Sequence, residues 1–306
     1  MSKKILFMGT PDYATTIFKE LMNSEYEIVG LFTQPDKPVG RKQILTAPHI
    51  KQYCIDENIN LPIFQPLKLR GNEEATKQIT ELKPDFIIVA AYGQILPKEI
   101  LDIAPCINLH ASLLPKYRGA SPIQESLLND DIYTGVTSML MEEGLDSGDI
   151  LGLQYLRITS TMEVSEAFEK LSLIAAKLTI TTLDNFENIK PIKQNESQVS
   201  FCKKIKKEDG LIDFIDAKKL YLKYKAYSYW PGIFLESELK LKDIELNDEK
   251  SINNQGQILE INSDFIIVGC EKGSLKIKTL QAPSKKAMNA IDYIRGQRLE
   301  INSILI

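Results

Sequence analysis

Short apolar runs alternate with segments of helical spacing along the first 190 residues. Lys4–Met8 is an apolar run closed by Gly9, and Tyr13–Asn23 then sets Ile17, Leu21 and Met22 at helical intervals. Glu27–Thr33 reads as a second strand. Pro48–Asn58 reads as a helix opened by proline, and Asn72–Leu82 as another that stops ahead of Pro84. Phe86–Ala91 is apolar without interruption, as in a central parallel strand covered on both faces. Cys106–His110, Thr134–Met141 and Ile150–Ile158 supply further strands, and Val164–Asn185 a long last helix. This alternation predicts an α/β domain built on a parallel sheet with crossover helices. Polar sequence from Asn188 through Ser200 reads as a linker. Beyond it, Ser228–Leu235, Gln257–Asn262, Phe265–Cys270 and Ser274–Leu280 are short β-type segments, which predict a small all-β barrel or sandwich.

Composition narrows the class without changing this outline. The chain has 306 residues, enough for two domains with their own cores. No apolar run nears the roughly 20 residues that span a bilayer, and Ile5–Met8 is too short for the apolar centre of a signal peptide. A cytoplasmic protein is the expectation. Cys54, Cys106, Cys202 and Cys270 are scattered, without zinc or redox spacing, so reduced structural thiols are expected and no metal. The net charge of −4 is unevenly spread: residues 203–306 carry 18 Lys+Arg against 15 Asp+Glu, and the rest 19 against 26. An acidic body with a mildly basic C-terminal part permits an anionic partner there.

The candidate chemistry lies where the strand Cys106–His110 ends. His110 is one of two histidines in the chain, and Asn108 projects from the same strand face. Open α/β sheets bind their ligands near such strand ends. A possible partner is Asp146, in Gly144-Leu145-Asp146-Ser147-Gly148-Asp149, where flanking glycines allow a tight loop that turns a carboxylate inward. A carboxylate beside an imidazole orients it and favours its protonated form. With the Asn108 amide, the three suit the stabilisation of a carbonyl oxygen that becomes negative under nucleophilic attack. Ser112 as a hydrolase nucleophile fits poorly: there is no Gly-x-Ser-x-Gly elbow, and Ser112 sits only two residues from His110. The first turn, Gly9-Thr10-Pro11-Asp12, has one glycine where a dinucleotide fingerprint needs three, and no phosphate loop occurs.

Basic residues recur outside this centre. Thr33–Gln43 reads as a long irregular loop, broken by Pro35, Pro38 and Gly40 and carrying Lys37, Arg41 and Lys42. Lys203-Lys204-Ile205-Lys206-Lys207 and Lys285-Lys286 form two further clusters. Three clusters spread over both predicted domains fit an extended anionic partner better than a small metabolite.

Several stretches together resemble the methionyl-tRNA formyltransferase family over essentially the whole chain. They are Phe7–Ala14, Thr33–Arg41, Ala90–Pro97, Asn108–Gln124, Gly144–Ile150, Trp230-Pro231-Gly232 and Lys285-Lys286-Ala287-Met288. The resemblance implies a Rossmann-like catalytic domain over 1–189, a linker over 190–207 and an OB-like β-barrel over 208–306 that contacts tRNA. It implies 10-formyltetrahydrofolate as formyl donor and initiator methionyl-tRNA as acceptor, for translation initiation; a monomer, with no membrane and no metal, is the expectation. Asn108, His110 and Asp146 match the family's catalytic residues, and Ser112, Leu113, Leu114 and Pro115 its folate-binding signature. Tyr92, Gly93, Gln94, Ile95 and Leu96, with Met141, Glu142, Glu143 and Gly144, match segments around the pterin. Arg41 and Lys42 lie in the loop that meets the tRNA acceptor end, and Lys204, Lys206 and Lys207 in the matching linker region. Pro283-Ser284-Lys285-Lys286 has serine where the family pattern has glycine.

Overall fold

The computed structural model describes residues 2–40 and 42–305 and divides into two compact units. The first comprises Met1–Pro122, Tyr133–Arg157 and Phe168–Cys202. The second comprises Ile123–Ile132, Ile158–Ala167 and Lys203–Ile306. Arg41 lies outside the described residues.

A seven-stranded sheet organises the first unit. Its strands run, edge to edge, Ile150–Arg157, Tyr133–Leu140, Cys106–His110, Phe86–Ala90, Lys4–Gly9, Glu27–Phe32 and Ile63–Phe64. The last five are mutually parallel, whereas Tyr133–Leu140 and Ile150–Arg157 join antiparallel. Phe86–Ala90 and Cys106–His110 are buried at every position. For the first this follows from its apolar run; for the second it means that Asn108 and His110 must find partners inside the protein. The helix Asp12–Met22 turns Ile17, Phe18 and Leu21 into the core, where Phe18 meets Phe7 edge-on with ring centroids 5.4 Å apart. In the helix Val164–Asp184, Val164, Ala167, Leu171, Ala175 and Leu178 are buried at steps of three and four residues, one continuous stripe.

The segment expected to be an irregular basic loop contains a hairpin instead. Lys37–Val39 pairs antiparallel with Ile44–Thr46, Pro38 opposite Leu45. A two-stranded ribbon is all edge, so a proline without an N–H donor is accommodated in it. All six residues are exposed, including Val39, Ile44 and Leu45. The hairpin's base is anchored where Lys51 Nζ reaches both oxygens of Asp36, at 2.9 and 2.8 Å, and Gln65 Oε1 at 2.7 Å.

The expected C-terminal barrel takes the form of a six-stranded antiparallel sheet. Its order is Ile233–Phe234, Lys240–Asp248, Ser274–Gln281, Ile266–Gly269 and Ile258–Ile261, with Met288–Asn289 also pairing with Ser274–Gln281. Lys240–Asp248 escapes a period-two reading because register shifts near Leu241, Asp243 and Leu246 break the alternation of its apolar residues. Ser228–Leu235 is strand only at Ile233–Phe234, because the helix Ala217–Tyr227 and a turn through Trp230-Pro231-Gly232 take up the residues before it. Ser284 holds φ +59°, a left-handed conformation that suits the glycine of the family pattern better than serine.

All four cysteines are free and buried. Burial pushes the thiol of Cys54 up to about 11, and those of Cys106 and Cys270 up to about 12. A raised thiol pKa keeps the unreactive S–H form through neutral pH. Iodoacetamide at pH 8 should therefore leave these three unmodified in the native protein and alkylate them in urea, as read by intact-mass spectrometry.

Candidate active site

Asn108 and His110 leave the same face of their strand and are only 9% and 6% exposed. Register places Asn108 between Val89 and Met139, and His110 beside Thr137. Both side chains meet the Asp146 carboxylate. Asn108 Nδ2 donates to Oδ1 at 3.4 Å, and His110 Nδ1 stands 3.7 Å from Oδ2. The other imidazole nitrogen, Nε2, lies 2.9 Å from the Tyr117 carbonyl oxygen. A carbonyl can only accept, so Nε2 carries a hydrogen in this arrangement. The other ring nitrogen, Nδ1, faces the carboxylate.

The Asp146 loop is shaped by close backbone approach. Asp146 holds φ +49°, a left-handed conformation in which aspartate is enriched among non-glycine residues. A Cβ at Gly148 would collide with the Leu140 carbonyl oxygen, and the Leu140 N–H donates to Asp149 O at 2.9 Å. The loop thus folds back against the strand Tyr133–Leu140 that precedes it. The Gly119 N–H donates to Asp146 Oδ2 at 2.8 Å, a charge-assisted bond that fixes the second carboxylate oxygen. Gly119 itself, at φ +124°, packs where a Cβ would strike the Cys202 carbonyl oxygen.

Ser112 is fully buried, and its Oγ donates to Lys116 O at 2.6 Å. Its own carbonyl accepts from Thr137 Oγ1 at 2.6 Å, and Thr137 Oγ1 accepts from Leu114 N at 3.0 Å. Leu114 precedes Pro115 through a cis peptide. The hydroxyl is therefore committed to loop geometry, away from His110, which leaves the serine-nucleophile reading without its base.

The segments matched to the pterin surroundings divide in character. Tyr92 is buried and its hydroxyl has no hydrogen-bond partner among the described residues; burial pushes its pKa up. Its carbonyl accepts from Thr10 Oγ1 at 3.3 Å and Gln34 Nε2 at 3.1 Å. Gly93 is left-handed, and the Gln94 side chain is occupied by Leu69 N at 2.8 Å and Pro66 O at 3.0 Å. Ile95 is exposed and Leu96 buried. Met141 donates from its N–H to Cys106 O at 2.8 Å, and Glu142, Glu143 and Gly144 are exposed. Lys42, Lys204, Lys206 and Lys207 are exposed; Lys206 pairs with Glu208 at 3.6 Å and Lys207 with Glu238 at 3.9 Å. Among the described residues no group of three or more His, Cys, Asp or Glu side chains is placed to hold a metal ion, and no helix is long and apolar enough to cross a membrane.

The segment read as a linker differs most from expectation. Ile192 bridges to Ile150, Phe201–Cys202 pairs in parallel with Arg118–Gly119, and Gln194 is buried against the Asp146 loop. Residues up to Cys202 therefore form a strap on the first unit. Gln194 and the Tyr117 carbonyl leave no mark in the sequence: a lone glutamine in polar sequence carries no periodicity, and a backbone carbonyl has no sequence signature.

The chain is a formyl transferase by sequence: the family model "Formyl transferase" matches residues 3–183, and "Formyl transferase, C-terminal domain" matches 204–298. Methionyl-tRNA formyltransferase of Nitratiruptor sp. is 58% identical over 97% of this chain and 98% of its own, and that of Campylobacter lari 55% over 99% of each. The chain belongs to the methionyl-tRNA formyltransferase family. Among solved structures, an N-formyltransferase from Helicobacter canadensis, in complex with folinic acid and dTDP-3-aminofucose, shares the fold with a TM-score of 0.68 at 15% identity, covering 91% of this chain and 99% of its own. HypX from Aquifex aeolicus in complex with tetrahydrofolic acid does so with a TM-score of 0.65 at 17% identity, covering 96% of this chain and 47% of its own.

The loop geometry makes a direct prediction. Gly148→Ala must displace backbone, and is expected to lower the unfolding free energy by about 1–3 kcal/mol, the usual scale of overpacking. Gly296→Ala is the control: nothing lies near a Cβ there, and it sits in the helix Ala290–Gln297. It should be neutral or stabilising by up to about 1 kcal/mol. Urea denaturation of both variants measures the contrast.

Proposed function

We propose that this protein transfers the formyl group of 10-formyltetrahydrofolate to the α-amino group of methionyl initiator tRNA, with Asn108, His110 and Asp146 as the reacting-site groups. The observation that carries the reading is one partly buried carboxylate within reach of both a strand amide and an imidazole whose other nitrogen is already engaged. The neutral amine attacks the formyl carbon, forming a C–N bond while the formyl oxygen takes up negative charge. Asn108 Nδ2 and His110 Nδ1–H donate to that oxygen, and Asp146 orients the imidazole. The amine then gives up a proton, the folate nitrogen gains one, and the bond from that nitrogen to carbon breaks. One proton passes in net terms from amine to leaving group, relayed through Asp146 or water. Nothing is oxidised and no covalent enzyme intermediate forms.

Donor binding is assigned to the loops Tyr92–Leu96, Ser112–Pro115 and Met141–Gly144, which border the strand carrying Asn108 and His110. Acceptor binding is assigned to Arg41 and Lys42, and to Lys204, Lys206 and Lys207. The ion pairs of Lys206 and Lys207 are solvent-exposed and each worth under about 1 kcal/mol, so phosphate can replace their partners at little cost. The reading takes the protein as a cytoplasmic monomer.

Supplying the formyl donor with charged initiator tRNA, elongator tRNA or no acceptor tests the assignment; formylmethionyl-tRNA from the initiator alone is the expected product. Donor consumption without acceptor would instead identify a hydrolase. His110→Ala should lower kcat by at least about 10²-fold with folate binding retained, the usual scale for losing an oxyanion donor. Arg41→Ala should raise the KM for tRNA, leave that for folate unchanged, and reduce the slope of log KM against log salt by about one, as for one lost phosphate contact.

A further inference from the structure

We propose that Gln194 is a positioning residue that holds the Asp146 carboxylate against His110. Its side chain is only 9% exposed, and each of its polar atoms is used. Nε2 donates to two backbone carbonyls of the catalytic loop, Asp146 O at 2.8 Å and Gly148 O at 2.8 Å. Oε1 accepts from Arg118 Nε at 3.0 Å and Nη2 at 2.9 Å. Arg118 is itself 5% exposed, and its outer edge reaches Glu196 Oε1 at 2.7 Å, two residues along the same strap.

The contacts close a ring. Arg118 grips Gln194, Gln194 grips the backbone of Asp146, and Gly119, next to Arg118 in the chain, donates to the Asp146 carboxylate. The loop is thus held from two directions, at its backbone by the strap and at its carboxylate by the turn after the His110 strand. The preceding residues, Glu142 to Leu145, are exposed, and Glu142 Oε1 accepts from Ser147 Oγ at 2.5 Å within the same loop. Holding the Asp146 carbonyl fixes the backbone from which its side chain projects, and the Gly119 N–H then fixes the carboxylate. An error of about 1 Å in such a group can cost on the order of 10²-fold in rate.

Gln194→Ala removes both grips. Gln194→Glu is nearly isosteric and keeps the Arg118 contact, but as a carboxylate it has no hydrogen to give to Asp146 O and Gly148 O. Both variants are expected to lower kcat by about tenfold or more, with both KM values within about twofold of wild type. In an Asp146→Asn background the same changes should have little further effect, because Gln194 acts through that carboxylate. A second readout does not need turnover. In ¹⁵N-histidine-labelled protein, His110 and His49 are the only ring signals, and both Gln194 variants should move the first and leave the second in place. Full additivity with Asp146→Asn, a loss confined to KM, or an unmoved His110 signal would each overturn the proposal. If Gln194→Ala fails to fold, Gln194→Glu carries the test. The kinetic arm rests on the formyl-transfer reading: if the wild-type protein forms no formylmethionyl-tRNA, that reading fails, and the NMR arm alone decides whether Gln194 positions Asp146.

Discussion

The structure of the first unit depends on one constraint: an amide and an imidazole lie at the end of a strand that is otherwise wholly apolar and buried. A buried polar group without a partner costs about 1–3 kcal/mol, so the surrounding chain must supply partners. The elements around them do so through backbone as much as through side chains. The Tyr117 carbonyl takes His110 Nε2–H, and to present it Tyr117 adopts φ +62°. The Asp146 carboxylate answers Asn108 and His110, and the Gly119 N–H answers the carboxylate in turn. Two left-handed non-glycine residues and a glycine that tolerates no side chain stand within this small region. These backbone conformations bring the Tyr117 carbonyl and the Asp146 carboxylate to the end of the His110 strand.

Much of this was legible from residues alone, for identifiable reasons. Phe86–Ala90 and Cys106–His110 are short, apolar and bounded, so the parallel core of the sheet follows from pattern. Asn108 and His110 stand two apart on a strand, which fixes a common face. Asp146 is flanked by glycines whose only evident use is a tight loop. What pattern cannot reach is any contact made by a long-range partner with no signature of its own. Gln194 is one polar residue in a polar stretch, yet it is 46 residues from Gly148 and 76 from Arg118 in sequence, and it meets both. The hairpin at Lys37–Thr46 is hidden from pattern for a different reason: prolines forbid interior strands, but a two-stranded ribbon has no interior.

The second unit has a different relation between pattern and structure. Its strands are short and antiparallel, and bulges in Lys240–Asp248 shift apolar residues off strict alternation. The helix Ala217–Tyr227 carries lysines and tyrosines in place of a clean apolar stripe, although Leu220, Tyr224 and Tyr227 are buried. Such elements are specified by what they pack against rather than by their own periodicity.

The strap has a consequence for how the protein is made. A boundary drawn at residue 189 encloses every strand of the large sheet, yet omits Gln194 and the strand pairing of Phe201–Cys202 with Arg118–Gly119. During synthesis, the sheet can therefore assemble while the segment that secures the Asp146 loop is still unmade or inside the ribosome. Contacts of such long sequence separation carry a large loop-closure cost and form late. The nascent chain would thus acquire its fold before it acquires an ordered site, and a half-made protein would be inactive without being misfolded.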